Sequence, residues 1–107
     1  MTDEIGVAVR TVIDAANRGD VEAFLAGFTS DGVVDDWGRE FQGAEAIHRW
    51  SDDEFIGKRV RLDVKQVAER AGETRVIAEV GGDGFTGPST FTFRVDDDRV
   101  ARMTIRA

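Results

Sequence analysis

The sequence has no cysteine, no tyrosine and a single histidine. Without cysteine the chain can form neither a disulfide framework nor a thiolate metal site, which is typical of proteins in a reducing compartment. Without tyrosine it lacks the phenol donor that many small proton-transfer sites use. A zinc site would have to combine His48 with carboxylates alone. We therefore predict no metal and no cofactor.

Basic runs and long apolar runs are also absent. The formal net charge is −7, and the 14 lysines and arginines are scattered among acids, whereas nucleic-acid partners favour basic surfaces. No apolar stretch is long enough to span a membrane, and Asp3 and Glu4 stand where a secretory signal needs positive charge. We predict a cytoplasmic protein with no nucleic-acid or membrane partner. Its 107 residues suit one domain, 1–107.

Helical periodicity marks the beginning of the chain. Apolar residues within 5–16 fall on one helical face, and Thr2 stands at the capping position. Gly19 supplies a left-handed helix end, and Asp20 caps a second helix. Turn-forming residues at 29–32 are expected to end that second helix.

The central stretch carries two adjacent carboxylates on a short strand. Residues 33–37 alternate as a strand, so Asp35 and Asp36 point to opposite sides. A turn at 38–39 leads to a short second strand and then to a third helix within 43–57. Only one of the two aspartates can therefore face the interior.

The period changes to two at Arg59 and stays so to the end of the chain, which predicts four antiparallel strands joined by hairpins. A bulge is expected near Gln66, because Val67 falls out of phase. The glycine-rich residues 81–88 form the most flexible connector. Helices early and strands late predict an α+β domain, in which three N-terminal helices pack in a curved, mostly antiparallel β-sheet. Such a cone closed by a loop forms a pocket.

The segments NRGDVEAFLAGF, DGVVDDWG and FQGAEAIHRW resemble the SnoaL-like branch of the nuclear transport factor 2-like (NTF2-like) superfamily. The resemblance covers the whole chain in element order and implies the same cone-shaped fold. The superfamily includes isomerases, cyclases, dehydratases, an epoxide hydrolase and non-catalytic binders, so the fold alone does not imply an activity. Because its sheet face often pairs subunits, the resemblance also implies a homodimer.

The resemblance extends unevenly to the catalytic residues of the superfamily. Ketosteroid isomerase-like members place a general-base aspartate on the first strand, where Asp36 stands here. The tyrosine and protonated aspartic acid that bind the enolate oxygen in those members are replaced by Val12 and Phe91. Because losing even one such donor costs about two to three decades in rate, steroid isomerase activity is not expected. The triplet 94–96 matches half of the epoxide-hydrolase pattern, but Ile105 stands where the second aspartate is required.

Three functions remain open. The first is binding of a hydrophobic small molecule in a mostly apolar pocket with Asp36 as acidic anchor. The predicted lining consists of Val12, Phe24, Phe28, Trp37, Trp50, Phe91 and Phe93. The second is a SnoaL-like polyketide cyclase or isomerase-type enzyme in which Asp36 abstracts a proton alpha to a carbonyl, assisted by His48 or a tryptophan N–H. The third is a protein-association module that uses the sheet face.

The polar candidates also have structural explanations. Asp36 could instead accept hydrogen bonds from the turn that follows it or pair with Arg39. Asp35 is expected to be its solvated neighbour. His48 lies one residue off the apolar face of its helix, which favours an exposed position.

The aromatic residues and the last two strands leave similar alternatives. Trp37 and Trp50 could bracket a flat ligand, or they could belong to the core or to a dimer surface. Polar residues alternate along the last two strands and either face solvent or pair subunits. These residues are Thr90, Thr92, Arg94, Arg102, Thr104 and Arg106.

Overall fold

The computed structural model describes residues 6–107. The elements are α1 (Val7–Arg18), α2 (Val21–Ala26), β1 (Phe28–Asp36), β2 (Arg39–Gln42), α3 (Ala44–Glu54), a 3-10 turn (Ile56–Lys58), β3 (Arg61–Arg70), β4 (Glu73–Gly81), β5 (Gly87–Asp96) and β6 (Arg99–Arg106). The strands form one sheet in the order β2-β1-β6-β5-β4-β3, in which only the β1 and β6 neighbours run parallel. The predicted α+β class, with three helices against a mostly antiparallel sheet, is confirmed.

The corner between α1 and α2 follows from its local sequence. Gly19 adopts the left-handed conformation at φ 71°, and the Asp20 carboxylate accepts a hydrogen bond of 3.0 Å from the backbone N–H of Ala23. Both predictions are confirmed. The side chain of Asn17 donates to the carbonyl of Leu62 and accepts from its N–H, at 3.1 and 2.7 Å. This pair of bonds fixes the end of α1 to β3.

Two predicted boundaries differ from the structure. α1 begins at Val7, and residues 2–5, which include the predicted cap, lie outside the described residues. The turn predicted at 29–32 is wrong, because β1 already begins at Phe28. Its register with β6 shifts before Val33, so the start of the strand is irregular. The neighbouring strand supplies backbone partners that local turn propensity cannot reveal.

The core lies between the inner face of the sheet and the three helices. Its largest fully buried side chains are Phe24, Phe93, Ile47, Met103, Val9, Val12, Val34, Val76 and Val100. The ring of Phe24 lies 5.2 Å from that of Phe28 and 5.6 Å from that of Phe55, measured between centroids. Packed side chains therefore fill the part of the cone around α2.

Two bulges bend the long strands. The register of β3 and β4 shifts between Val64 and Gln66, which confirms the predicted bulge. A second shift, just before Val95, was not predicted. It leaves Ala101 as the extra residue and places Val100 in the core.

Within residues 6–107, none of the helices has the length and apolar character required to cross a membrane. The cytoplasmic location and the single-domain organisation of 1–107 stay predictions.

Candidate functional site

A cavity of about 400 Å³ opens between the end of α3, the 3-10 turn and the inner face of the sheet. Its apolar lining consists of Trp37, Trp50, Phe55, Val60, Val80, Phe85, Phe91 and Ile105. Its polar lining consists of Asp36, Arg39, Asp53, Glu54, Lys58 and Ser89. Cavities of this size and apolar character are typical binding sites for small organic molecules.

Strand alternation explains why these side chains meet. Asp36 on β1 lies opposite Ile105 on β6, and Ile105 lies opposite Phe91 on β5. Side chains two residues apart share a face, so Ser89 points to the same side as Phe91. One wall of the cavity is thus the row formed by Asp36, Ile105 and Phe91 on three neighbouring strands. Ser89, the next inward residue of β5, extends this row.

The carboxylate of Asp36 is the acidic group of this wall. Its Oδ2 accepts hydrogen bonds from Arg39 Nη2 at 2.6 Å and from the indole N–H of Trp50 at 3.1 Å. The side chain is only 16% exposed. No hydrogen bond to Oδ1 occurs within residues 6–107. Asp36 therefore makes the predicted pair with Arg39 and still presents one free oxygen at the cavity.

Arg39 joins two carboxylates at the rim of the cavity. Besides Asp36, its guanidinium bonds both oxygens of Glu54, at 2.9 and 2.7 Å. The hydrogen bonds that Arg39 donates to Glu54 raise the pKa of Arg39, and the charges of both carboxylates raise it further. The hydrogen bond from Arg39 in turn lowers the pKa of Glu54. This bridge fixes the end of α3 to β2.

Trp37 lies at the mouth of the cavity, in a turn one residue earlier than predicted. Trp37 and Gly38 form the two-residue connection, with φ of 55° and 91°, between the paired residues Asp36 and Arg39. Positive φ at both positions is typical of the type I′ hairpin, which usually carries asparagine or glycine. A tryptophan in this left-handed backbone conformation is strained by about 1–2 kcal/mol. Trp37 is also 55% exposed.

Trp50 belongs to the inner wall and is only 3% exposed. Its ring stacks on Phe55 with centroids 4.8 Å apart, and its N–H is donated to Asp36. Trp50 is thus packed into the wall of the cavity, whereas Trp37 is exposed. That the two indoles bracket a ligand stays a prediction.

Four of the residues predicted to line the pocket lie elsewhere. Val12, Phe24, Phe28 and Phe93 belong to the closed core and do not border the cavity. The reason is that these four side chains fill the space between α1, α2 and the sheet, whereas this cavity lies at the end of α3. Trp37, Trp50 and Phe91 do line the cavity.

His48 lies outside the cavity. Its side chain is 48% exposed, and its Nε2 lies 3.3 Å from Asp52 Oδ2, one helical turn further along α3. Helical periodicity indicated this exposed position correctly. The assisting role predicted for His48 in catalysis has no geometric support.

Asp35 is buried on the opposite, outer face of the sheet, and the prediction of a solvated side chain is wrong. It is 6% exposed and accepts hydrogen bonds from Gly38 N–H, Arg102 and Arg106, at 2.8, 2.9 and 3.0 Å. The hydrogen bond from Arg106 is the main reason that the pKa of Asp35 is lowered. Two arginines of the last strand thus cover a carboxylate that alternation alone places at the surface.

Ser89 was missed by the sequence analysis. It is 2% exposed and lines the cavity, and its hydroxyl makes no hydrogen bond to any part of the chain between residues 6 and 107. A buried hydroxyl without a partner is unusual. The signal was present, since the alternation that places Phe91 and Phe93 inward also places Ser89 inward.

The glycine-rich connector 81–88 forms another side of the mouth and is anchored to the 3-10 turn. The N–H of Asp83 donates to the carbonyl of Lys58 at 2.7 Å, and Arg59 pairs with the Asp83 carboxylate at 2.8 Å. Gly82 has φ 126°, and a Cβ there would lie 2.6 Å from the carbonyl oxygen of Arg59. Glycine is therefore required for this close approach.

In the part of the chain that the structure describes, no group of three or more histidine, cysteine, aspartate or glutamate side chains is arranged to hold a metal ion.

The fold and the cavity define a cone-shaped α+β domain of the NTF2-like class. The model of the SnoaL-like domain family matches residues 9–103, so the chain belongs to that family. None of the curated proteins matches the chain.

Solved structures with the same fold include several bacterial proteins. A candidate polyketide cyclase from Sinorhizobium meliloti is 27% identical, with 95% of each chain covered and a TM-score of 0.83. A Mycobacterium tuberculosis protein in complex with estradiol-17beta-hemisuccinate is 19% identical, over 94% of this chain and 91% of that one, with a TM-score of 0.79. A Catenulispora acidiphila protein with a ketosteroid isomerase-like fold, in complex with trimethylamine, is 18% identical over 94% and 84%, with a TM-score of 0.79. The last two likenesses concern the fold alone.

Proposed function

We propose that the protein binds a mostly apolar small molecule in the cavity beside α3, with Asp36 as the acidic anchor. The observation that carries this proposal is the open cavity of about 400 Å³, which is lined by Asp36 and by aromatic and aliphatic side chains. Two large aromatic side chains at this cavity, Trp37 and Phe85, are 55% and 58% exposed. Exposed apolar groups of this size beside a cavity are typical of ligand sites.

The related structures support a ligand in this fold. The Mycobacterium tuberculosis protein holds a steroid ester and the Catenulispora acidiphila protein holds an amine. Because their identity to this chain is low, the ligand class proposed here follows from the lining of its own cavity. That lining is aromatic and aliphatic, with charged groups at Asp36 and along the rim.

Replacing Val80 by phenylalanine is expected to weaken ligand binding, because the larger side chain fills the cavity from β4. Val80 is 7% exposed and lines the cavity. We expect Val80→Phe to bind 4-hydroxybiphenyl at least about tenfold more weakly than the wild type, a loss of roughly 1.4 kcal/mol. The measurement is a titration followed by tryptophan emission, since both tryptophans of the chain line the cavity.

Ile77→Phe is the matched control for this experiment. Ile77 lies on the same strand but faces the outer side of the sheet, between the inward residues Val76 and Ala78. Its substitution should leave the affinity unchanged. Equal weakening in both variants, or in neither, would contradict a ligand site in this cavity.

A second candidate function is catalysis by Asp36 as a general base in a SnoaL-like cyclase or isomerase. The free Oδ1 at the cavity wall favours it, as does the 27% identity to the candidate polyketide cyclase. Binding remains the first proposal because Oδ2 is already held by Arg39 and Trp50, so only Oδ1 is left to contact a substrate.

Solvent exchange tests the catalytic proposal directly. If Asp36 abstracts protons alpha to a carbonyl, the wild type accelerates deuterium incorporation into α-tetralone in D2O, measured by proton NMR. Asp36→Asn should abolish the acceleration, typically by a factor of about 10² or more. Asp53→Asn, which alters another acid of the same cavity, should retain it. A wild-type rate equal to the buffer rate would exclude this activity for simple ketones.

We also propose that the outer face of the sheet pairs two subunits in a homodimer. Thr90, Thr92 and Thr104 form an uncharged, half-buried patch on the neighbouring strands β5 and β6. Arg102 and Arg106 beside it are already bound to Asp35. A protein that sediments as a monomer at micromolar concentration would contradict this assembly and any association function of the face.

A further inference from the structure

Two residues that line the cavity, on different strands, each have a polar oxygen atom without a partner in the described part of the chain. One is Asp36 Oδ1, and the other is the hydroxyl of Ser89, which is 2% exposed. Neither makes a hydrogen bond among residues 6–107. A buried polar atom without a partner destabilises the folded protein. Both residues line the cavity, so a bound molecule can reach these atoms and bond them.

The strand register fixes the separation of these two groups. Asp36 is opposite Ile105, and Ile105 is opposite Phe91, so two strand spacings lie between Asp36 and β5. Ser89 is one further inward position along β5. With about 4.8 Å between strands and about 6.6 Å per two residues, the two side chains are roughly 8–12 Å apart on a concave sheet. The apolar residues Phe91 and Ile105 occupy the space between them.

The geometry points to a ligand that is polar at both ends: an elongated, rigid apolar molecule with a hydroxyl or other hydrogen-bond donor at Asp36 and a second polar group at Ser89. This inference rests on the proposed binding function and specifies its ligand class. The group at Asp36 must be a donor, because an ionised carboxylate only accepts hydrogen bonds. The group at Ser89 can be a donor or an acceptor, since a hydroxyl serves as both. The sequence predicted a single polar anchor, Asp36, whereas two anchors define the length of the ligand.

Two rigid probes of equal skeleton test this inference: 4,4′-dihydroxybiphenyl, with a hydroxyl at each end, and 4-hydroxybiphenyl, with one. In isothermal titration calorimetry the wild type should bind the diol about three- to tenfold more tightly than the mono-ol, as expected for one additional hydrogen bond. In Ser89→Ala the ratio should fall to about one, because the second hydroxyl loses its partner. Ser30→Ala, an exposed serine on β1, is the matched control and should keep the wild-type ratio.

Thermal unfolding of the free protein separates a ligand contact from a structural role. Because the Ser89 hydroxyl has no partner in the described chain, Ser89→Ala should leave Tm unchanged or raise it by a few degrees. A fall in Tm of more than about 5 °C would show that the hydroxyl stabilises the fold, which overturns the inference. Unchanged discrimination between diol and mono-ol in Ser89→Ala overturns it as well.

The outcomes also separate this inference from the proposed function. If Val80→Phe blocks the mono-ol but Ser89→Ala has no effect on the ratio, the cavity binds ligands and the two-ended ligand is wrong. If neither probe binds the wild type, both the proposed function and this inference fail. Loss of discrimination in Ser89→Ala, with Tm retained, supports both.

Discussion

Replacing Phe24 by alanine is expected to lower the free energy of unfolding by about 3–5 kcal/mol, the largest effect of any substitution considered for this protein. Phe24 is fully buried, and its ring contacts Phe28 and Phe55. It is the only fully buried residue of α2, which has just six residues. So short a helix depends on tertiary packing for its stability. Urea unfolding followed by circular dichroism measures the change.

The same variant tests whether Phe24 belongs to the core or to the ligand site. The sequence predicted the ligand site. Leu25→Ala, on the same helix but only half-buried, is the control and should cost about 1–2 kcal/mol. Under conditions in which Phe24→Ala remains folded, we expect its affinity for 4-hydroxybiphenyl to be close to that of the wild type. A small stability loss together with abolished binding would restore Phe24 to the site.

Asp35→Asn is expected to destabilise the protein by about 2–4 kcal/mol near neutral pH, because it leaves two arginines beside a neutral amide in a buried position. The side chain is 9% exposed and bonds Arg102, Arg106 and the N–H of Gly38. The lower part of this range applies if the arginines, which are 29% and 45% exposed, turn to solvent. Asp14→Asn, on the exposed side of α1, is the control and should change stability by less than about 0.5 kcal/mol.

The pH dependence of this effect has a defined sign. The hydrogen bond from Arg106 holds the pKa of folded Asp35 below its ordinary value, which is about 3.9 in an unfolded chain. The unfolded state therefore takes up the proton first as the pH falls, and the contribution of Asp35 is fully present above about pH 5 and is lost below about pH 4. Urea midpoints of wild type and Asp35→Asn should thus converge toward acid. A constant difference down to pH 3 would show that the charge of Asp35 does not matter.

Sequence periodicity was sufficient to predict the types of the elements and their order. The spacing of apolar residues in α1, the Gly19 and Asp20 corner and the alternation from Arg59 onward gave the right elements in the right order. Even the bulge near Gln66 was visible as a change of phase. These features depend on neighbours in sequence, and local rules therefore capture them.

Which residues line the cavity could not be predicted from local sequence patterns. How closely α1 and α2 approach the sheet decides whether Phe24 and Phe93 line a cavity or fill a core, and that distance is a property of the whole packing. Alternation correctly separated Asp35 from Asp36, yet burial of Asp35 depends on arginines 67 and 71 residues further along the chain. If the pairing of β1 with β6 had been predicted, Arg102 and Arg106 would have been placed beside Asp35.

The parallel pairing of β1 with β6 also governs when this protein can become complete during its synthesis. Strand Phe28–Asp36 leaves the ribosome long before its neighbour Arg99–Arg106. The hairpins of β3, β4 and β5 can form while translation continues. The pairing of Asp36 with Ile105 cannot form until β6 has been synthesised. Closing so long a loop is slow. A nascent chain that does not yet include Arg99–Arg106 therefore has neither a complete sheet nor a complete ligand site.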